Sequence, residues 1–279
     1  MTKLALADVT LVAIDTVAHE LTRLALEDCL AKAQFGDAMV FSDRPITAGD
    51  TRWIETPPLR SWEAVGKVWW HELPRHIETS HYLMIQYDSW MLAAEAWNPL
   101  WLQCDYIGAP WPWHWQHRVG NGGFSLRSRR LAQHLADHAE RFPVTHPEDD
   151  TLCRRYRPQL EAEGFRWAAE HDAARFSFER GRPRVATFGF HGLFNWPFVL
   201  RCDDLERRLC VANDFVRGKP EWQEMLRLRQ RMMFTVLEPA KAAAPFDPVA
   251  PKAVGVVQKK VEIEYSTSTL TKAAEHTAQ

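Results

Sequence analysis

Long apolar runs are missing from this 279-residue chain: no stretch approaches the roughly 20 residues needed to cross a bilayer, so no membrane span is expected. An excess of one charge is missing too. The 34 Lys and Arg nearly balance the 36 Asp and Glu, and a net charge of −2 gives no bulk electrostatic reason to bind nucleic acid. Cysteine is sparse. Cys29, Cys104, Cys153, Cys202 and Cys210 are scattered, odd in number and without a CxxC pair, which reads as reduced thiols in a cytoplasmic protein. The N-terminal "MTKLALADVTLVAID" holds a lysine and an aspartate in its apolar run and reads as a first strand, not a signal peptide. The Gly-Lys-Ser/Thr ending of a P-loop is absent, as is GxGxxG after the first strand. There is no internal repeat.

Tryptophan, by contrast, is abundant, with thirteen in the chain. Packing explains most tryptophans in most proteins. Aromatic rings also cover the apolar face of a pyranose, so a sugar-binding cleft is the sharper reading.

The order of elements points to an α/β fold. "DVTLVAID" reads as a buried strand, "HELTRLALEDCLAKA" as a helix and "AMVFSD" as a second strand. That βαβ unit implies a parallel sheet, with ligands beyond the carboxyl ends of its strands, where Asp15 and Asp43 lie. "SWEAVGKVWWHELPRHI" looks helical up to Pro74, and "HYLMIQYD" is a buried strand closing on Asp88. "SRRLAQHLADHAERF" is helical, and "PEDDTLCRRYRPQLEAEG" opens a helix on acidic residues, which suit a helix N-terminus. "TFGFHGLFNWPF" is expected to be a loop near the cleft. The expected domain spans residues 1–219. Residues 220–239 form an amphipathic helix with a basic face, able to dock on the domain, a partner or a membrane surface. Residues 240–279 read as a Pro/Ala linker and a disordered tail.

Several polar residues sit where chemistry could occur. Asp88 could cap a segment starting at Ser89, or ligate a hard divalent cation. Glu148, Asp149 and Asp150 complement a helix dipole, yet three consecutive acids exceed what a cap needs, and a tuned carboxylate can serve as a general base. His191, between glycines, is either structural or a metal ligand. His114 and His117 in "HWQH" could pair on a metal but lack a third partner. In "GNGGFSLRS", Gly120, Gly122 and Gly123 allow close backbone approach, and Asn121 offers a donor and an acceptor to hydroxyls. Arg127 and Arg129 face either phosphate or solvent.

Taken in order, "QYD", "DYIGAPW", "GNGGFSLRS", "HPEDD" and "FGFHG" resemble glycosyltransferases of the GT-A fold. The series is most similar to a bacterial glycosyltransferase-like family, and more distantly to fringe and the β-1,3- and β-1,4-galactosyltransferases. The resemblance covers about Val9 to Trp196. It implies a Rossmann-type mixed, mostly parallel sheet flanked by helices, and transfer of a sugar from a nucleotide-sugar donor, most often a uridine diphosphate sugar; a single in-line attack would invert the anomeric centre, and retention stays open because the sequence does not place the base relative to the sugar face. The acceptor would be a hydroxyl of a glycan, a lipid-linked glycan or a protein, in bacterial glycan synthesis. By the same resemblance Asp88 and His191 would hold Mn2+ or Mg2+, and Asp149 would be the base, with Glu148 beside it shaping the acceptor or donor site. Gln86, Asp88, Asn121, Gly122, Gly123 and Asp15 would bind the donor, and Trp111, Trp113 and Glu148 the acceptor. The family's Asp-x-Asp is here Gln86-Tyr87-Asp88, one carboxylate short, which puts metal dependence in question. The rival readings are a non-catalytic carbohydrate-binding domain on a degenerate transferase fold, which Gln86 favours, and a metal-dependent hydrolase, whose dense His/Asp clusters are absent. The expected setting is the cytoplasm, with peripheral membrane contact through the basic helix.

Overall fold

The computed structural model describes residues 2–181, 183 and 185–237. The linker and tail expected over 240–279 lie outside them, and so do the last residues of the segment 220–239.

Strand β1 (Leu4–Ile14) leads through helix α1 (His19–Lys32) to β2 (Ala33–Ser42), and β1 pairs with β2 in parallel, as the βαβ reading requires. From Val9 to Ala13 every residue of β1 is buried, which is why this stretch is apolar but for Thr10, whose hydroxyl bonds that of Thr79. Helix α1 buries Leu21, Leu24, Ala25 and Cys29, a stripe at helical spacing.

The main sheet has six strands in the order β3-β2-β1-β4-β7-β6. Its remaining members are β3 (Arg52–Glu55), β4 (His81–Ile85), β6 (Tyr106–Gly108) and β7 (Phe124–Ser128). Strands β3, β2, β1 and β4 are parallel, while β7 runs antiparallel to both β4 and β6. The architecture is therefore a mixed, mostly parallel sheet with helices packed around it. The edge strand β3 was not expected. Because β7 is reversed, its first residue lies opposite the last residue of β4, in the pair Ile85–Phe124. The glycines before β7 thus reach the same sheet edge as the residues after β4.

Helical structure continues from α2 (Trp62–Lys67) through a wider turn, Val68–Glu72, to Leu73–Arg75, ending close to the expected Pro74. Helix α3 (Arg129–Asp137) follows β7 directly. The acidic segment begins α4 (Glu148–Asp150), and helical turns run on to Ala162.

Two expectations fail at a second, three-stranded sheet. Ser89 opens a strand, β5 (Ser89–Met91), not a capped helix. "FGFHG" is no loop: it contributes β9 (Gly189–His191), the central strand between β5 and β8 (Ser177–Phe178). The glycines here make room rather than flexibility. A Cβ on Gly189 would stand 2.2 Å from the Phe124 ring, and Phe190 meets Trp90 edge to face at 4.6 Å.

The helix Pro220–Leu237 packs on the turn Leu193–Asn195 and on the short helix Trp196–Val199, and its Trp222 and Met225 are buried. One compact unit runs to Leu237 and includes this helix. No helix among the described residues is long and apolar enough to cross a membrane.

Candidate functional site

The carboxyl ends of β1 and β4, the start of β7 and the end of β9 meet at one edge of the fold, where open α/β sheets bind ligands. The chain turns at Gln86–Asp88 between β4 and β5. Ser89 stitches this turn to its neighbour, since its hydroxyl accepts from the Gln86 amide at 2.8 Å and donates to the Gly123 carbonyl at 2.6 Å.

His191 is the hub. Its Nε2 lies 3.2 Å from Gln86 Oε1 and 3.5 Å from Asp88 Oδ1, and its Nδ1 lies 3.2 Å from Glu179 Oε1. Burial works against a charge on the ring, but Asp88 and then Glu179 outweigh it and raise the imidazole from 6.5 to about 10. Burial also opposes ionisation of Asp88, yet the His191 charge, with Lys219 behind it, holds that carboxyl below its usual value. Asn195 clamps the arrangement by donating to the backbone carbonyls of Glu179 and His191, each at 2.7 Å. Glu179 gave no sequence signal, because nothing local ties it to His191.

The glycine stretch admits protein on every side. A Cβ on Gly123 would stand 2.3 Å from the His191 ring, and one on Gly120 would stand 2.1 Å from the Trp111 ring. Gly122 faces Arg127, Glu148 and Asp149, with 3.0–3.3 Å between its missing Cβ and their atoms. Asn121 adopts a φ of +56°, a left-handed conformation that Asn tolerates better than most residues. Its side chain is buried beside His191 Nδ1, with Nδ2 at 3.1 Å.

Asp149 is half-buried. Its Oδ2 accepts the Gly122 amide at 3.0 Å and its Oδ1 the Asp150 amide at 2.9 Å. Glu148 is buried and paired with Arg127, Nη1 to Oε1 at 2.5 Å. Arg127 is only 2% exposed and sits over the rings of Tyr106 and Trp69, so it does not face solvent. The sequence held a partial signal: an arginine among the apolar residues of a strand needs a counter-charge once the fold buries it.

A two-lobed cleft opens here. Asp15, Thr16, Leu59, Tyr87, Phe215 and Lys219 line one lobe, of about 230 Å3. Gly122, Gly123, Val144, Glu148, Asp149 and His191 line the other, of about 140 Å3. Trp62, Val65, Trp69 and Gln86 belong to both. Trp62, 54% exposed, stacks on His146 at 4.5 Å across the join.

The first lobe holds Lys219 and Arg60, and neither has an ion-pair partner among the described residues. Lys219 Nζ lies over the rings of Tyr87 and Phe215. The sequence reading missed it because it sits at the start of the helix Pro220–Leu237, far along the chain. Asp15 borders this lobe, but its oxygens accept from the amides of Val17 and Ala18 at the start of α1 and from Thr22.

The remaining expected residues are dispersed. Trp111 is buried over Gly120, whereas Trp113 and Trp115 are 57% and 86% exposed on the same loop. His114 Nε2 meets Trp113 Nε1 at 3.1 Å and the Arg154 guanidinium at 3.3 Å, a donor-rich setting unsuited to a metal.

Among the described residues no group of three or more His, Cys, Asp or Glu is placed to hold a metal. The nearest arrangement is two such residues and an amide, Asp88, His191 and Gln86. Asp88 Oδ1 is buried and makes no hydrogen bond, with the His191 ring 3.5 Å away as its counter-charge. For its ring nitrogen to join the Asp88 and Gln86 oxygens around a divalent cation, His191 would first have to give up the proton that Asp88 and Glu179 favour on it.

A family model described as "Protein of unknown function (DUF5672)" matches residues 61–191, a span that runs from the start of α2 to His191. No curated protein matches the chain. Among solved structures, the chain is similar to a glycosyltransferase involved in glycosylation of the major capsid of PBCV-1, at 13% identity and a TM-score of 0.44, over 72% of this chain and 98% of that one. It is also similar to the glycosyltransferase GlyE of Streptococcus pneumoniae, at 10% identity and a TM-score of 0.42, over 87% of this chain and 66% of that one. A third is the galactosyltransferase LgtC in complex with donor and acceptor sugar analogues, at 12% identity and a TM-score of 0.38, over 76% of this chain and 99% of that one.

Proposed function

We propose that the protein is a glycosyltransferase that moves a sugar from a nucleoside diphosphate sugar, uridine-linked in the first instance, to an acceptor hydroxyl. The observation that carries this reading is the division of charge along the cleft. The unpaired cations Lys219 and Arg60 lie in one lobe and the carboxylate Asp149 in the other. A donor laid across the join puts its nucleotide and diphosphate beside the cations and its sugar beside the base, with Trp62 and Trp69 against both.

In the transfer step the acceptor hydroxyl gives its proton to Asp149 while its oxygen bonds to the anomeric carbon. The bond from that carbon to the diphosphate oxygen breaks, and the electron pair leaves with the diphosphate. Lys219 and Arg60 stabilise the charge that develops there. A single in-line attack inverts the anomeric centre. The Gly122 amide holds Asp149 Oδ2, and the carboxylate keeps lone pairs free for the incoming proton. Asp88, His191 and Gln86 are the residues that would hold a divalent cation, which when bound supplies further positive charge to the leaving diphosphate.

The test is calorimetric titration of uridine diphosphate, with and without manganese, followed by product analysis with uridine diphosphate sugars and simple sugar acceptors. A new glycoside supports transfer, and free sugar alone indicates hydrolysis. Failure of uridine, guanosine, cytidine and thymidine diphosphates to bind would leave the non-catalytic carbohydrate-binding reading.

A further inference from the structure

A buried ion pair that the transfer step does not use lies directly beneath Asp149. Arg127 projects from β7 and is 2% exposed. Its Nη1 donates to Glu148 Oε1 at 2.5 Å and its Nη2 to Oε2 at 3.4 Å. Its Nε donates to Ser125 Oγ at 2.9 Å, and the Ser125 hydroxyl donates to the Gly122 carbonyl at 3.1 Å. The amide of that same glycine holds Asp149 Oδ2. Asp149 therefore has two tethers, one through the backbone from Glu148 and one through its carboxylate to Gly122. Both lead back to one guanidinium.

The geometry assigns Arg127 as the positioning residue that aims the Asp149 carboxylate into the second lobe. The inference rests on the transferase reading for what Asp149 does there, but the tethering itself does not depend on it. Only arginine fits the role. Its planar fork serves Glu148 through the two Nη atoms while Nε serves Ser125, and a lysine ammonium at this depth cannot make both connections in the same geometry. A Cβ at Gly122 would press on the same pair, standing 3.0 Å from Arg127 Nη2 and 3.2 Å from Glu148 Oε2, so a larger residue there requires the pair to shift by a few tenths of an ångström.

Two substitutions separate positioning from mere support of the core. Arg127→Lys keeps a charge opposite Glu148 and breaks the link to Ser125. Ser125→Ala leaves the ion pair whole and cuts only the link to Gly122, and it is the variant to rely on should Arg127→Lys fail to fold. Both are expected to lower kcat about 10- to 100-fold, the cost of a misaimed base, with KM for the donor within about twofold of wild type. Amide hydrogen exchange provides a readout without turnover. Exchange at Gly122 should rise in both variants, while exchange at Leu126 in the middle of β7 stays as in wild type. Unchanged kcat together with unchanged Gly122 exchange overturns the inference. Exchange that rises along all of β7 also overturns it, by making Arg127 a general support. A wild-type protein that transfers no sugar, but whose variants still free the Gly122 amide, upholds the tether and removes the base role of Asp149.

Discussion

Alanine at Gly123 tests the packing on which the whole site depends. A Cβ at that position would stand 2.3 Å from Cδ2 and Nε2 of His191 and 2.7 Å from Cε1, where ordinary contact begins at 3.4 Å. The ring would have to retreat by about 1 Å to restore normal contact. It is not free to do so, because Nε2 is held 3.2 Å from Gln86 and 3.5 Å from Asp88 while Nδ1 is held by Glu179. Moving the ring disturbs the Nε2 hydrogen bond to Gln86 and the ion pair with Asp88. Overpacking of this kind costs about 1–3 kcal/mol. A mid-range 2 kcal/mol lowers the Tm of a domain this size by about 4–8 °C, readable by thermal circular dichroism. Because His191 is the imidazole of the candidate cation site, the manganese-dependent part of uridine diphosphate binding should weaken about 10-fold or more in a calorimetric titration. A Gly123→Ala protein that melts and titrates like wild type would refute the account, since the ring could not then be pressed against this glycine.

Other consequences can be read with the same preparations. Asp149→Asn should reduce transfer at least 100-fold while leaving uridine diphosphate affinity intact, and full activity in that variant would remove Asp149 as the base. Lys219→Met should weaken uridine diphosphate binding about 10- to 30-fold, with Lys219→Arg close to wild type, if a diphosphate pairs with this cation in a partly screened cleft; equal affinities for the three proteins would place the diphosphate elsewhere. The pH dependence follows from His191, whose folded value is raised from 6.5 to about 10. Its contribution to stability is complete below about 6.5 and is lost as pH rises towards 10. Urea unfolding of the metal-free protein should therefore show stability declining across that window, and the decline should flatten in His191→Gln; a wild-type profile already flat there would show that the ring is neutral.

What the sequence disclosed and what it hid divide along physical lines. The first βαβ unit was legible because the buried half of β1 is almost wholly apolar and α1 shows its stripe at helical spacing. The acidic helix start at Glu148 was legible because acids suit that end of a helix. The gathering of the strand-end residues at one edge follows from the parallel strands, and the reversed β7 brings its glycines to the same edge. Strand β9 was hidden because glycine next to aromatic residues has two meanings. "FGFHG" resembles a flexible loop, but Gly189 is small to admit Phe124, and Gly123 is small to admit His191.

Partnership is what local pattern cannot supply. His191 meets Gln86 across 105 residues of sequence and Arg127 meets Glu148 across 21, and neither spacing is a helical or strand period. Lys219 reaches the cleft only because Trp222 and Met225 bury the helix that follows it. That helix, read from its basic face, could have docked on the domain, a partner or a membrane; Trp222 and Met225 pack on the domain, and the residue just before the helix brings a cation to the cleft. An amphipathic pattern records that a face must be covered and leaves open by what. The more useful signal was the one that broke pattern: the arginine of "FSLRS", which is buried beside a carboxylate. The search for that carboxylate leads to Glu148, and from Glu148 to the residue next to it, where the chemistry is proposed to occur.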